Sequence, residues 1–160
     1  MIATPTIQPA LPSDAANIAE MSRDLIEQGL GWSWRAHRVL RCMADAETNV
    51  VVALEAGRRV GFAIMKYHDD EAHLLLLAVE PAWARRGVGR AMMGWLEQSA
   101  LTAGIGQVYL EARITNAAAR AFYKRLGYRE VDLVQRYYKG REASVRLAKD
   151  LWLERWEIDQ

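Results

Sequence analysis

The chain has 160 residues, with 21 Lys plus Arg against 20 Asp plus Glu and a formal net charge of +1. That length suits one domain spanning residues 1–160 and argues against a second core, and the neutral balance argues against a surface built throughout for nucleic acid. The single cysteine, Cys42, excludes an intrachain disulfide and a multi-cysteine metal centre.

The first fourteen residues carry neither the basic start nor the apolar stretch of a secretory signal. No apolar run approaches the roughly 18 residues of a membrane span. The expectation is therefore a cytoplasmic protein with no membrane partner. Weak alternation over residues 4–9 predicts a short strand. Pro12, Ser13 and Asp14 then open a helix with polar caps, on which Ile18, Met21, Leu25 and Ile26 recur at helical spacing. Gly29 and Gly31 break it. A second helix is predicted over 35–46, with Val39, Leu40 and Met43 as its apolar face. The β-branched run at 49–55 reads as a strand, 56–58 as a turn and 60–67 as the returning strand. Asp69-Asp70 makes the next turn, so the metal-compatible run His68–His73 reads as a solvated hairpin and no metal is expected. Residues 72–79 form a third strand, whose run LLLLAV predicts burial on both faces.

Pro81 stops that strand, and the period then changes. Val88, Ala91, Met92, Trp95, Leu96 and Ser99 fall on one helical face, which Gly104 and Gly106 end. A short strand follows at 107–111. Asn116 opens a compact helix with Ala119, Phe122, Tyr123 and Leu126 on one face, and Gly127 stands where a left-handed cap is wanted. Strands over 128–137 and 142–148 complete the order β-α-α-β-β-β-α-β-α-β-β, a mixed α/β (α+β) sheet protein. The tail, 151–160, carries Trp152 and Trp156 four apart. It docks on its own sheet or meets a second copy, which leaves a homodimer open.

The informative stretch is residues 81–90, PAWARRGVGR, at the junction of the third long strand and the helix after it. Glycines there allow close backbone approach, a helix start offers unpaired N–H groups, and Arg85, Arg86 and Arg90 add charge. These features describe a pyrophosphate cradle or, at their plainest, a tight turn with solvated arginines. Neither a Walker A string nor a dinucleotide fingerprint is present, since the sixth position counted from Gly87 is Met92.

The strand LLLLAVEP followed by ARRGVGRAMMGWL resembles the acetyl-CoA-binding signature of the GNAT N-acetyltransferases, a Gln/Arg-x-x-Gly-x-Gly/Ala pattern in which Gly87 and Gly89 match and Ala84 takes the first position. Residues 110–128, LEARITNAAARAFYKRLGY, are similar to the family's second block, and the likeness covers about residues 50–150. It implies a GNAT fold: a mixed, mostly antiparallel sheet of about six or seven strands with about four helices, splayed at the acetyl-CoA site. It also implies an enzyme that moves an acetyl group from acetyl-CoA to a primary amine. Backbone groups of Leu77, Ala78 and Val79 would hold the pantetheine arm and polarise the carbonyl. Arg85, Arg86, Gly87, Val88, Gly89 and Arg90 would hold the pyrophosphate, and Asn116 the pantetheine arm or simply the helix cap.

Tyr123 is the candidate general acid, since a phenol is protonated at pH 7 and can donate to a departing thiolate; its alternative is core packing. Glu111, at a strand end where open sheets bind ligands, is the candidate general base. Its alternative is an ion pair with Arg113 or another arginine. Within the family the closest likeness is to protein N-terminal acetyltransferases of the ribosomal-protein-alanine type. Residues 136–143, RYYKGREA, look like their double-tyrosine loop, which places Tyr137 and Tyr138 at the acceptor groove; Ala143 replaces the usual Asp. Trp32 and Trp34, between the first two helices, are the other acceptor-site candidates. The acceptor is then a peptide or protein N-terminus. A small amine (an antibiotic, a polyamine or an amino acid) and a catalytically silent acetyl-CoA-binding module are the alternatives.

Overall fold

In a computed structural model that describes residues 4–135 and 142–153, one sheet runs in the order β1-β2-β3-β4-β5-β7-β6. Its strands are β1 (Thr6–Pro9), β2 (Thr48–Glu55), β3 (Arg58–Tyr67), β4 (Glu71–Val79), β5 (Gln107–Arg113), β6 (Arg129–Val134) and β7 (Ser144–Asp150). The helices are α1 (Ala15–Leu25), α2 (Ala36–Ala44), α3 (Val88–Thr102) and α4 (Ala117–Arg125). The element order is the one the sequence predicts. Tyr137, Tyr138 and the chain from residue 154 onward lie outside the described residues.

Each face of the sheet carries its own core. On one, α3 and α4 cover Val51, Ala63, Met65, Leu74, Leu110 and Leu147. On the other, α1 and α2 cover Val50, Val52, Phe62, Ile64 and Leu76. The helix α3 forms despite Gly89 and Gly94, each about 1 kcal/mol poorer than Ala in a helix interior. Val88, Met92, Met93 and Leu96 are buried, and full burial of such side chains contributes about 1.5–3 kcal/mol each, so packing outweighs propensity. Its buried stripe includes Met93 and Ala100, while Ala91, Trp95 and Ser99 are half-buried, a rotation from the predicted face. On α2, Leu40 is 41% exposed. Val39 and Met43 share a line four residues apart, and Leu40 lies about 100° round from it, so Cys42 takes the inward place assigned to Leu40.

The strand β4 departs most from its prediction. Its residues alternate between buried and half-buried along its whole length, and one of its neighbours leaves it part-way. The parallel pairing of β4 with β5 runs only from Glu71↔Gln107 to Leu74↔Leu110; beyond that rung the two strands part. At the same place β4 carries an extra residue. Met65 pairs with Leu74 and Ile64 with Leu76, which leaves Leu75 as a bulge. One extra residue reverses the side-chain parity. Ala72 and Leu74 pack toward α3, whereas Leu76 and Ala78 pack toward α1, and Leu77 and Val79 now rest on the α3 side.

At the C-terminal end Trp152 lies against Gly106, where an added Cβ would come within 2.4 Å of its ring. Leu151 is buried against the sheet, while Trp152 and Leu153 stay more than half exposed.

Candidate functional site

The parting of β4 and β5 opens a cleft lined by main chain. Glu80 N–H donates to Val60 C=O at 2.8 Å, which makes Val60–Glu80 a hydrogen-bonded pair. Antiparallel ladders alternate, so Ala78 is also bonded to β3, while the N–H and C=O groups of Leu77 and Val79 face the cleft. A strand edge with unpaired donors inside a fold is unusual, and it is the arrangement that polarises a bound carbonyl.

On the α3 side the cleft widens into a cavity of about 880 Å3 lined by Leu77, Ala78, Val79, Trp83, Arg85, Gly87 to Arg90, Phe122, Tyr123 and Arg125. The first backbone bond of α3 runs from Ala91 N–H to Gly87 C=O. The N–H groups of Val88, Gly89 and Arg90 thus have no partner within the helix and stand at its positive end. Gly87 caps it at φ +83°, and Arg85 is held at φ +63°, a conformation that costs a non-glycine residue about 1–2 kcal/mol. Gly89 is fixed by space, since an added Cβ would stand 2.9 Å from the Phe122 ring. Arg86 does not line the cavity; its guanidinium stacks 4.8 Å from the Trp83 ring centroid. Arg125, Trp83 and Phe122 are lining residues the sequence did not single out.

A second cavity of about 490 Å3 opens on the other side of the parting, lined by Ile26, Leu75, Glu111, Arg113, Thr115, Asn116 and Glu142 among others. Leu77, Ala119 and Tyr123 line both cavities. Tyr123 is 8% exposed, and burial pushes its phenol far above the usual tyrosine value, so it stays a proton donor. The Asn116 side chain accepts from Ala119 N–H at 3.1 Å; it caps α4 and also faces the second cavity.

Glu111 stands on β5 one residue past the last β4–β5 rung, directly opposite Arg146 of β7. Its Oε1 lies 3.6 Å from His73 Nε2 and 3.9 Å from Arg146. Arg113 instead donates to Ile26 C=O at 3.0 Å, tying β5 to the loop after α1. The neighbour that sequence reading missed is His73. It lies in β4, within the strand predicted over 72–79, and stacks on Tyr109 with centroids 4.2 Å apart and planes 13° apart.

The loop after α1 walls the second cavity, and Glu27 holds it. This buried carboxylate accepts from Ser22 Oγ (2.8 Å), Ser33 N–H (2.7 Å) and Ser33 Oγ (2.7 Å), and from Trp34 N–H. Those donors outweigh desolvation and lower its pKa. Trp32 and Trp34 belong to the same packing. Trp32 Nε1–H donates to Ala19 C=O at 3.1 Å, Trp34 is buried beneath Arg38, and neither lines either cavity.

Among the described residues no group of three or more His, Cys, Asp or Glu side chains is placed to hold a metal ion. None of their helices is long and apolar enough to cross a membrane.

The profile of the acetyltransferase (GNAT) family matches residues 18–128. The ribosomal protein bS18-alanine N-acetyltransferase of Escherichia coli (strain K12) is 38% identical over 95 residues, which is 58% of this chain and 64% of that protein. The match thus spans just under two thirds of that relative's length. A crystal structure of the ribosomal-protein-S18-alanine N-acetyltransferase from Escherichia coli superposes with a TM-score of 0.75 at 27% identity, covering 92% of this chain and 94% of that one. That of Ard1 from Thermoplasma volcanium gives 0.81 at 23% identity, over 93% and 99%, a likeness of fold.

Proposed function

The chain belongs to the acetyltransferase (GNAT) family, and on that premise we propose that it transfers an acetyl group from acetyl-CoA to the α-amine of a peptide or protein N-terminus. The observation that carries this reading is the pair of cavities sharing Tyr123 as a common wall. One side suits a long polyanionic thioester. It offers the unpaired N–H groups of α3, the cations Arg85, Arg90 and Arg125, and an apolar floor. The other side brings a carboxylate, Glu111, to the mouth through which an amine would enter. The acceptor class is supported by the likeness to the bS18-alanine enzyme, 38% identical over 95 residues.

In this reading the Val79 N–H, turned into the cleft, stabilises the charge that develops on the thioester oxygen. Glu111 takes a proton from the entering ammonium. Leu77 and Ala119, which line both cavities, flank the passage between them. Tyr123 gives its proton to the departing sulfur and recovers one from the nitrogen that becomes the amide.

The test is thiol release from acetyl-CoA with a panel of N-terminal peptides, aminoglycosides, polyamines and amino acids, alongside a melt with excess acetyl-CoA. Ligand binding raises Tm by mass action. Turnover of peptides supports the proposal. Turnover of small amines alone overturns the acceptor class, a Tm shift without turnover leaves a binding module, and no shift removes the cofactor.

A further inference from the structure

The formal net charge of +1 conceals a local excess. Residues 28–44, the loop after α1 and the helix α2, contain Arg35, Arg38 and Arg41 and no Asp or Glu. Every exposed polar side chain on α2 is basic. His37 and Arg41 are exposed and Arg38 is half-buried, with Arg35 exposed at the N-cap. None of the three arginines has a carboxylate partner among the described residues. Asp24 of α1 is already held by Arg23 at 2.7 Å.

These cations do not serve the helix that carries them. Arg35 makes no side-chain cap bond, and the first turn holds His37 and Arg38 but no acid. Positive charge at that end opposes the helix dipole. Local rules broken in this way are expected at functional surfaces. The arginines are nevertheless held in place. The Arg35 guanidinium lies 4.5 Å from the Trp32 ring centroid, and that of Arg38 lies 3.7 Å from the Trp34 centroid. A guanidinium stacked on an indole keeps its plane fixed and its N–H edge free for two oxygens of a phosphate.

We infer that α2 and the loop before it form a binding surface for a single-stranded nucleic acid, separate from the acetyl-CoA cavity. The charge spacing fits such a strand. Arg35, Arg38 and Arg41 follow at three-residue steps over about 9 Å of helix. A stacked strand carries one phosphate per about 3.4 Å of rise, so two or three phosphates span the same length. Unpaired bases stack on guanidinium planes and aromatic rings, and both are present here, whereas a duplex keeps its bases paired and inside. A membrane is a poorer occupant. Val39, Cys42 and Met43 already pack in the core, which leaves Leu40 as the one exposed large apolar side chain of α2. The surface lies on the α1–α2 face of the sheet, while the acetyl-CoA cavity opens on the α3 side. The loop after α1 also reaches the second cavity, which Ile26 and Gln28 line.

The test is fluorescence anisotropy of a labelled RNA of about twelve nucleotides, titrated with the full chain between about 25 and 200 mM salt. Three phosphate contacts predict that log affinity falls with log salt at a slope of about −2. The triple variant Arg35→Gln, Arg38→Gln, Arg41→Gln should abolish binding. Arg41→Glu is the second variant should the triple pack badly, since Arg41 is exposed. It should lose about tenfold in affinity near 50 mM salt with Tm and acetyl-CoA shift unchanged. Saturating acetyl-CoA should leave the RNA bound. Displacement by acetyl-CoA would put the strand in the cradle of Arg85 and Arg90 and overturn the inference. No wild-type binding at about 25 mM salt overturns it too, as does wild-type affinity in Arg41→Glu. Equal or tighter binding of polyglutamate, of a duplex of the same length or of anionic lipid vesicles also overturns it. No acetyl transfer enters these measurements, so their outcome is independent of the proposed activity.

Discussion

Gly87 and Gly89 stand two residues apart in one motif, and the structure gives them different reasons to be glycine. Gly87 has φ +83° and no atom within 4 Å of an added Cβ; its constraint is torsional. Gly89 is helical, and its added Cβ would meet Phe122 Cζ at 2.9 Å and Cε1 at 3.2 Å; its constraint is steric. Gly87→Ala should cost about 1–2 kcal/mol, the left-handed penalty for a residue with a Cβ, or about 3–6 °C in Tm at this size. Gly87→Asn should cost less, because asparagine tolerates that region. Gly89→Ala combines a gain in helix propensity of up to about 1 kcal/mol with overpacking of about 1–3 kcal/mol, so its net cost is about 0–2 kcal/mol, no larger than that of Gly87→Ala. The Phe122 ring must move about 0.6 Å or more to restore an ordinary carbon–carbon contact, and Phe122 is a wall of the larger cavity. The damage should therefore appear in acetyl-CoA binding. Melting curves of Gly87→Ala, Gly87→Asn and Gly89→Ala, each also combined with Phe122→Leu, with and without acetyl-CoA, test this. Phe122→Leu should restore the ligand shift lost in Gly89→Ala and do nothing for Gly87→Ala. Rescue of both, or of neither, would refute the assignment of separate causes.

Tyr123→Phe should lower kcat by about 100-fold or more while leaving the acetyl-CoA shift intact, read by steady-state kinetics and melts. Since burial raises the phenol's pKa, the wild-type rate should show no alkaline loss from this group below pH 10. An equal loss in cofactor affinity would make it a packing residue. Glu27→Gln should destabilise by about 1–3 kcal/mol at pH 7, because the amide turns a donor toward the donors the carboxylate accepts from. The folded pKa of Glu27 is depressed. Its stabilisation is therefore complete above the ordinary glutamate range and disappears as pH falls through the lower folded value. Urea melts at pH 7 and pH 3 should show the gap closing; an unchanged gap would mean that the ionised form does not matter.

The fold was legible because its signals are local. β-branched runs, helical spacing and cap glycines placed the described elements in order. The first cavity was legible for the same reason: residues 85–90 are a contiguous turn and helix start, capped by Gly87 and packed closely through Gly89. The misses are the contacts that register makes. His73 and Glu111 are 38 positions apart in sequence and meet only because β4 and β5 run parallel for four rungs. Arg146 faces Glu111 through the β5–β7 ladder. Arg125 reaches the larger cavity through the packing of α4 on α3, and the Glu27 network depends on how the loop after α1 folds back. Trp32 and Trp34 stand at the expected place in the chain but face the α1–α2 layer, since indole N–H and ring faces found partners there.

The bulge at Leu75 makes β4 a strand governed by counting. Leu74, Leu75, Leu76 and Leu77 are chemically identical, so a hydropathy profile cannot distinguish among their positions. Yet the parity set at the bulge decides which main-chain groups beyond it bond to β3 and which face the cleft. Losing any one of the four would leave composition and hydrophobicity almost unchanged while removing the bulge: the Met65 and Ile64 rungs would take consecutive β4 residues, and the stretch paired with β5 would be drawn one residue toward the cleft. Such a stretch tolerates substitution among aliphatic residues far better than a change in length, and its four leucines are a ruler as much as a core.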